Sequence, residues 1–451
     1  MPDVPTRADR FAIGDWSVRD GALVFGFDCD RYGRFEERVW FPGAPVPDRP
    51  NPALRRLVTL LHVALGVSAY KAAAARTLAL PPLAPAGRAM AERLYTGGLA
   101  EFFVRAGLGY PPGTAFEGAA PAPTGDAPPP AVSPVTPGTA LVAFGGGKDS
   151  YVARAVALAA GDDVTLCSVV MSDAVAGAIA ATAPEPVTML RRALDPKLLA
   201  IRDGFGGHVP ITAINALVLA LYARLTGRTR VVFANERSAD EPTMAVDGVV
   251  ANHQDSKSSG FEALLAAAVA EADPGAPVPF SALRAYAEVW IARAFAGLKD
   301  TDAAPLPRFT SCNRNFRLAG DADRRWCGAC AKCAFTSLLL SPHLTEAEHL
   351  EAFGARFLDA PALQPFFAQL AGLTAHKPWD CVGTIAECRA TLWRLGRHSV
   401  WADSLAVRTL LPRVMAVTDE AALAATWADG LRPHPAPLTP RAYVEAAATW
   451  G

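Results

Sequence analysis

At 451 residues the chain is long enough for two or three domains, and 51% apolar with 19% charged residues is the balance of a folded globular protein. A net charge of −1 with no Lys/Arg block leaves no electrostatic footprint for a nucleic acid. The stretch from Met1 to Asp15 is polar and has no apolar core like that of a signal peptide. The most apolar helical run, 211–225, is interrupted by Asn215 and Arg224 and falls short of the ~20 residues a bilayer span needs.

These features predict a cytoplasmic protein with no membrane or nucleic-acid partner, and nothing in them implies an obligate protein partner. In that reducing setting the eight cysteines are expected to be thiols or metal ligands, not a disulfide framework.

The first 110 residues read as a small α+β domain. Leu23-Val24-Phe25-Gly26-Phe27 and Arg38-Val39-Trp40-Phe41 are β-like runs around a turn-rich segment, which predicts a hairpin. Apolar residues three and four apart then predict helices over 51–65, 88–95 and 99–108. Residues 111–138 are dense in Pro, Gly, Ala and Thr and read as a linker. From 139 to 340 strands alternate with helices, the pattern of a parallel sheet with ligands at the carboxyl ends of its strands. The predicted strands are 140–144, 164–171 and 230–234, and the predicted helices 150–160, 196–202 and 211–225.

At the end of the first of these strands stands Gly145-Gly146-Gly147-Lys148-Asp149-Ser150. Consecutive glycines let backbone N–H groups approach an anion, and the following helix aims its positive end at the same point. Lys148 offers charge, Ser150 a hydroxyl, and Asp149 a carboxylate for Mg²⁺. The motif is not a Walker A loop, because Asp149 separates Lys148 from Ser150.

It resembles the PP-loop ATP pyrophosphatase family, whose signature is Ser-Gly-Gly-x-Asp-Ser, with Gly145 in place of the first Ser. That resemblance implies cleavage of ATP between its α and β phosphates, and adenine received along Ser168-Val169-Val170-Met171. Two polar clusters follow predicted strands: Asn235-Glu236-Arg237-Ser238 and Asn252-His253-Gln254-Asp255-Ser256-Lys257-Ser258. Each alone reads as a solvated loop; together, near the glycine turn, they point to a site. His208, in the turn before the 211–225 helix, is placed either to reach a phosphate or to cap its own turn.

Cys312, Cys327, Cys330 and Cys333 gather half of the cysteines in one window, with two Cys-x-x-Cys steps in series. Four thiolates suit tetrahedral Zn²⁺ in a closed, structural site; an Fe–S cluster or four free thiols are the alternatives. The cysteine-rich end also resembles the zinc element of 7-cyano-7-deazaguanine synthases. Residues 341–451 read as helical, punctuated by Pro378-Trp379-Asp380-Cys381, and are expected to pack against or shape the site.

Taken together, residues 145–150, 207–210, 235–238, 254–258, 311–313 and 326–333 resemble the UDP-N-acetylmuramoyl-L-alanyl-L-glutamate epimerase family. The resemblance implies an α/β fold with a PP-loop (adenine nucleotide alpha hydrolase-like) parallel sheet, a small α+β N-terminal domain and a mainly helical C-terminal region. It implies ATP and Mg²⁺ as cofactors, a UDP-MurNAc-dipeptide as substrate, and inversion of its terminal L-Glu.

Coupling the carboxylate to AMP makes such chemistry accessible, because the acyl phosphate can accept the charge left by the α-proton. Pyridoxal phosphate is no alternative, since the glutamate nitrogen is in a peptide bond. Base candidates are Glu236, His253, Asp255 and Lys257. A ligase that passes the same adenylate to an amine, and a sensor that binds ATP unchanged, are the rival readings.

Overall fold

The computed structural model describes residues 5–118, 137–246, 248–312 and 325–450. The first strands, β1 (Arg10–Arg19), β2 (Ala22–Cys29) and β3 (Gly33–Trp40), form an antiparallel meander. The expected hairpin is its second half, where Phe27 pairs with Phe35 and Leu23 with Val39. β1 was not expected: its alternation breaks at a register shift between Ile13 and Trp16. Short β4 (Thr77–Ala79) and β5 (Ala115–Glu117) extend the meander in parallel. β5 lies in the expected linker, most of which is outside the described residues.

The second half supplies β6 (Thr139–Ala143), β7 (Asp163–Val170), β8 (Val187–Ala193) and β9 (Arg230–Phe233). A small antiparallel pair, β10 (Met244–Val246) and β11 (Val249–Ala251), precedes β12 (Pro279–Ser281). All but that pair join one ten-stranded, mainly parallel sheet, ordered β12-β9-β6-β7-β8-β3-β2-β1-β4-β5.

β8 is the joint between the halves, pairing in parallel with β7 and antiparallel with β3. Its two consecutive arginines hid it from a hydrophobic pattern. Arg192 is buried there because Glu37 of β3 neutralises it and Ser68 Oγ accepts a further hydrogen bond at 2.7 Å.

Strand residues alternate between two apolar cores. Ala140, Val142 and Leu166 face the helices Lys148–Ala159, Glu288–Gly297 and Ala331–Leu340 and, beyond them, the C-terminal helices. Leu141, Cys167 and Leu190 face Pro52–Leu65, Ile211–Thr226 and Ser259–Ala272. The first of these begins at Asn51, whose side chain accepts from Leu54 N at 2.8 Å, a cap worth about 1 kcal/mol. The run Pro52–Ala73 has the length and composition of a bilayer span, yet 78% of its apolar 18-residue stretch is buried inside the fold.

The expected helical C-terminal region, 341–451, is present, with α-helices from Glu346–Phe353 through Arg441–Ala448. One of its helices, Ile385–Leu395, starts in a capping box between Thr384 and Glu387. The same Glu387 accepts from Glu288 N at 2.7 Å, which fastens this region to the centre of the molecule.

Candidate active site

From β6 the chain moves to β7 and β8 on one side, and only later returns to place β9 and β12 on the other. The order therefore reverses between β6 and β9, and at such a switch point the loops diverge and leave a crevice at the carboxyl ends. A cavity of about 510 Å³ lies there. The ends of β6 (Ala143, Phe144), β7 (Ser168, Val169) and β9 (Phe233, Asn235) line it.

The glycine turn forms one wall, with Gly145, Gly147, Asp149 and Ser150 facing the cavity. Gly146 takes φ +80°, and a Cβ there would meet Thr182 Oγ1 at 2.3 Å, so both conformation and space require glycine. A Cβ on Gly147 would come within 2.8 Å of Ser311 Oγ. Ser311 and Thr310 lie directly over the turn, and Thr310 N donates to Gly146 O at 3.0 Å. Gly147 is the N-cap of the helix Lys148–Ala159, whose first N–H groups point toward the cavity side of the turn.

Lys148 is buried behind this turn, its ammonium held by both Asp149 and Glu288. Burial opposes its charge, but the two carboxylates outweigh that and raise its pKa. Glu288 shows the converse: burial raises its carboxyl to about 8 despite Lys148. Asp149 moves down, because Lys148, Lys332 and Lys257 together outweigh the desolvation that would raise it.

Of the four base candidates, Lys257 lines the cavity; Glu236, His253 and Asp255 are packed behind its wall. Asp255 is paired with Arg93, and its carboxyl is raised by burial against that arginine's pull. Glu236 is 2% exposed. Its backbone carbonyl accepts from Arg284 at 2.7 Å. His253 lies between Glu101 and Cys381: Nδ1 bonds Glu101 Oε2, and Nε2 is 3.6 Å from Cys381 Sγ. His208 belongs to the same group, with Nδ1 3.4 Å from Glu101 Oε2 and its ring 4.5 Å from that of His253.

Cys312, Cys327, Cys330 and Cys333 converge, with their sulfurs all within 4.8 Å of one another; they could hold a metal such as zinc. Cys327 and Cys330 stand 3.7 and 3.5 Å from Cys333. The cluster grips the site from two directions. Cys312 follows Ser311 on the glycine turn, and Lys332, between Cys330 and Cys333, faces the cavity.

Comparison with known proteins bears on the whole chain. The model of the MurL N-terminal domain matches residues 4–281, and that of the MurL C-terminal domain matches residues 308–425. The chain belongs to the MurL family.

Its curated relatives include UDP-N-acetyl-alpha-D-muramoyl-L-alanyl-L-glutamate epimerases from three organisms. That of Salinispora tropica is 35% identical over 98% of this chain and 96% of its own length. That of Micromonospora sp. is 36% identical over 98% of each. That of Xanthomonas oryzae pv. oryzae is 34% identical over 89% of this chain and 88% of its own.

In this MurL-family chain, several residues at or behind the cavity wall carried no role in the sequence reading. Arg192 and Cys381 line the cavity, and Glu288 and Glu101 stand behind it. Ser311 and Lys332 were visible inside quoted motifs but masked there by the neighbouring cysteines. Glu288 sits at the start of an almost wholly buried helix, and only contact with Lys148, 140 residues away in sequence, distinguishes it.

Proposed function

We propose that the chain inverts the terminal L-Glu of UDP-MurNAc-L-Ala-L-Glu to D-Glu, using ATP, in peptidoglycan precursor synthesis. Membership of the MurL family and the activity for which its relatives are named support the reaction and the substrate. One observation carries the ATP-dependent part: a glycine turn at a helix N-terminus, Asp149 and Lys257 surround a single cavity at the switch point of a parallel sheet.

In this reading the fold is of PP-loop type. The turn's N–H groups and the ammonium group of Lys332 meet the phosphates, and the end of β7, with Ser168, receives adenine. Lys148 keeps the floor of the turn charged by holding Asp149 in place. Magnesium on Asp149 would offset the phosphate charge.

The substrate carboxylate attacks the α-phosphorus and pyrophosphate leaves. In the resulting acyl adenylate, the carbonyl oxygen takes up the electron pair released when the α-proton departs. A proton returns on the other face, and hydrolysis frees the product and AMP. Lys257 faces the cavity where that proton is handled.

Zinc in the four-cysteine cluster would be structural. A Zn–S tetrahedron has S···S edges of about 3.8 Å, close to the separations found, and four sulfurs leave no open position. Its role is to fix Ser311 and Lys332 against the cavity.

Incubation with UDP-MurNAc-L-Ala-L-Glu, ATP and Mg²⁺ should give AMP, pyrophosphate and, after acid hydrolysis and chiral analysis, D-Glu. Release of ADP would contradict the PP-loop reading. A requirement for an amine acceptor would move the chain to the ligases.

A further inference from the structure

Cys381 comes from the C-terminal helical region, yet it lines the same cavity as the glycine turn. It is held there from several directions. Its own N–H donates to Asp380 Oδ1 at 2.9 Å, and the next carbonyl, of Val382, accepts from Gln254 Nε2 at 2.9 Å. Sγ stands 3.6 Å from His253 Nε2, and the far nitrogen of that ring bonds Glu101. A thiol, an imidazole and a carboxylate in series is the arrangement that makes sulfur a proton acceptor: the carboxylate orients the ring, and the ring stabilises the thiolate.

The position also suits the reacting carbon. Asp380, one residue earlier, lines a second cavity of about 600 Å³ that includes Arg105, Lys377 and Trp379. Cys381 therefore stands next to the partition between the first cavity and this one, whose Arg105 and Lys377 are paired with Glu101 and Glu241.

We propose that Cys381 is the base that removes the α-proton of the activated glutamate, with His253 and Glu101 as its positioning residues and Lys257 as the acid on the same cavity. This rests on the epimerase reading above. The Cα–H bond breaks as an S–H bond forms, and the electron pair moves onto the carbonyl oxygen of the acyl adenylate. Collapse of the enolate then takes a proton from the Lys257 ammonium onto the opposite face. The thiol loses its proton to solvent and the Lys257 amine regains one, so no net proton is consumed.

The charge states agree with these roles. Burial pushes the Cys381 thiol up, but Lys257, His253 and Lys332 outweigh it and bring the pKa down to about 7. Burial disfavours the charge on His253, yet Cys381 and Glu101 raise it to about 10. Burial likewise opposes the Lys257 ammonium, and Cys381, Glu236, Asp149 and Glu288 outweigh it and raise its pKa. His208, behind His253, is lowered to about 4 by burial and by the neighbouring imidazolium, so one cation occupies the pair. Cys167, which lines the same cavity, differs: burial pushes its thiol up to about 12, against the weaker pull of Arg228 and Thr188.

The test uses the full chain with Cys381→Ser and Cys381→Ala, each checked for folding by circular dichroism. Both should keep ATP–pyrophosphate exchange on UDP-MurNAc-L-Ala-L-Glu within about three-fold, while deuterium incorporation at Cα in D₂O falls by about 100-fold or more. In His253→Gln, the pH at which iodoacetamide alkylates Cys381, read by peptide mass spectrometry, should rise by about one unit or more.

Unchanged epimerisation in Cys381→Ala would overturn the inference and leave the epimerase reading intact. So would loss of exchange and inversion together in a folded variant, or an acyl adduct on Cys381 in the intact mass of the wild type, which would make sulfur a nucleophile. A wild type that never inverts glutamate would remove the reading itself.

Discussion

The four-cysteine cluster and Cys381 place the same side chain in opposite company. In the cluster each thiol finds other thiols, with sulfurs 3.5 to 3.7 Å from Cys333. At Cys381 the neighbours are an imidazole and an ammonium group instead. Converging sulfurs repel one another when ionised, so they need a cation from outside, and an ion that satisfies all four leaves no reactivity behind. A thiol with its own cations needs no ion and keeps its lone pairs free for a proton. The two are joined through Lys332, which the cluster positions and which helps lower the Cys381 pKa. One region builds the site and the other is available to react in it.

Breaking the building region should have the largest effect. Cys330→Ser removes one of four ligands, and structural zinc contributes on the order of 10 kcal/mol to folding. Soluble yield should collapse, and elemental analysis, expected to find about one zinc per chain in the wild type, should find it lost from the variant. Metal-free protein with an unchanged melting temperature would show the cluster to be ordinary buried thiols.

Next comes Asp149→Asn. It keeps the shape of the glycine turn and leaves Lys148 its second partner, Glu288, so the fold should survive. AMP formation should drop by about 100-fold or more, because the carboxylate proposed to hold Mg²⁺ against the phosphates is gone. Full AMP formation in this variant would detach the turn from ATP chemistry.

The effect that is smallest for any single group is on stability against pH, and it extends the contrast from cysteines to histidines. Burial lowers His62, His208, His343 and His349 to about 4, whereas the two anions beside His253 raise it. A group with a depressed folded pKa stays neutral in the fold while the unfolded chain takes up a proton near pH 6.5, so stability falls as pH drops from about 6.5 toward 4. Each such histidine contributes up to about 1.4 kcal/mol per pH unit in that window. His253 has the opposite sign: its contribution is complete below about 6.5 and is lost as pH rises toward 10. The melting temperature should therefore drop steadily between pH 7 and 5; a flat profile there would contradict the burial of the four.

What the chain revealed in advance follows from how local the signal was. The glycine turn, the four cysteines and Lys257 occupy short windows in which residue type and spacing carry the chemistry. Strand–helix alternation likewise foretold the sheet around β6, β7 and β9, because β6 and β9 are buried almost throughout and read as apolar runs. β8 escaped because its buried arginine is neutralised by Glu37, 155 residues away. Cys381 and Glu101 escaped for the same reason, lying 128 and 152 residues from His253. Each was an ordinary residue until folding supplied its partner, so a base candidate such as His253 was visible while the thiol it serves was not.

Everything above turns on whether this cavity breaks and remakes a Cα–H bond on an activated carboxyl group. Running the wild type in D₂O with UDP-MurNAc-L-Ala-L-Glu, ATP and Mg²⁺, and analysing glutamate by mass and chirality, measures that directly. The expected result is AMP together with D-Glu carrying one deuterium at Cα, because a proton taken by an exchangeable group is replaced from solvent. AMP formed with glutamate that remains L and carries no deuterium would contradict it, leaving a carboxylate-activating enzyme that never touches the α-carbon.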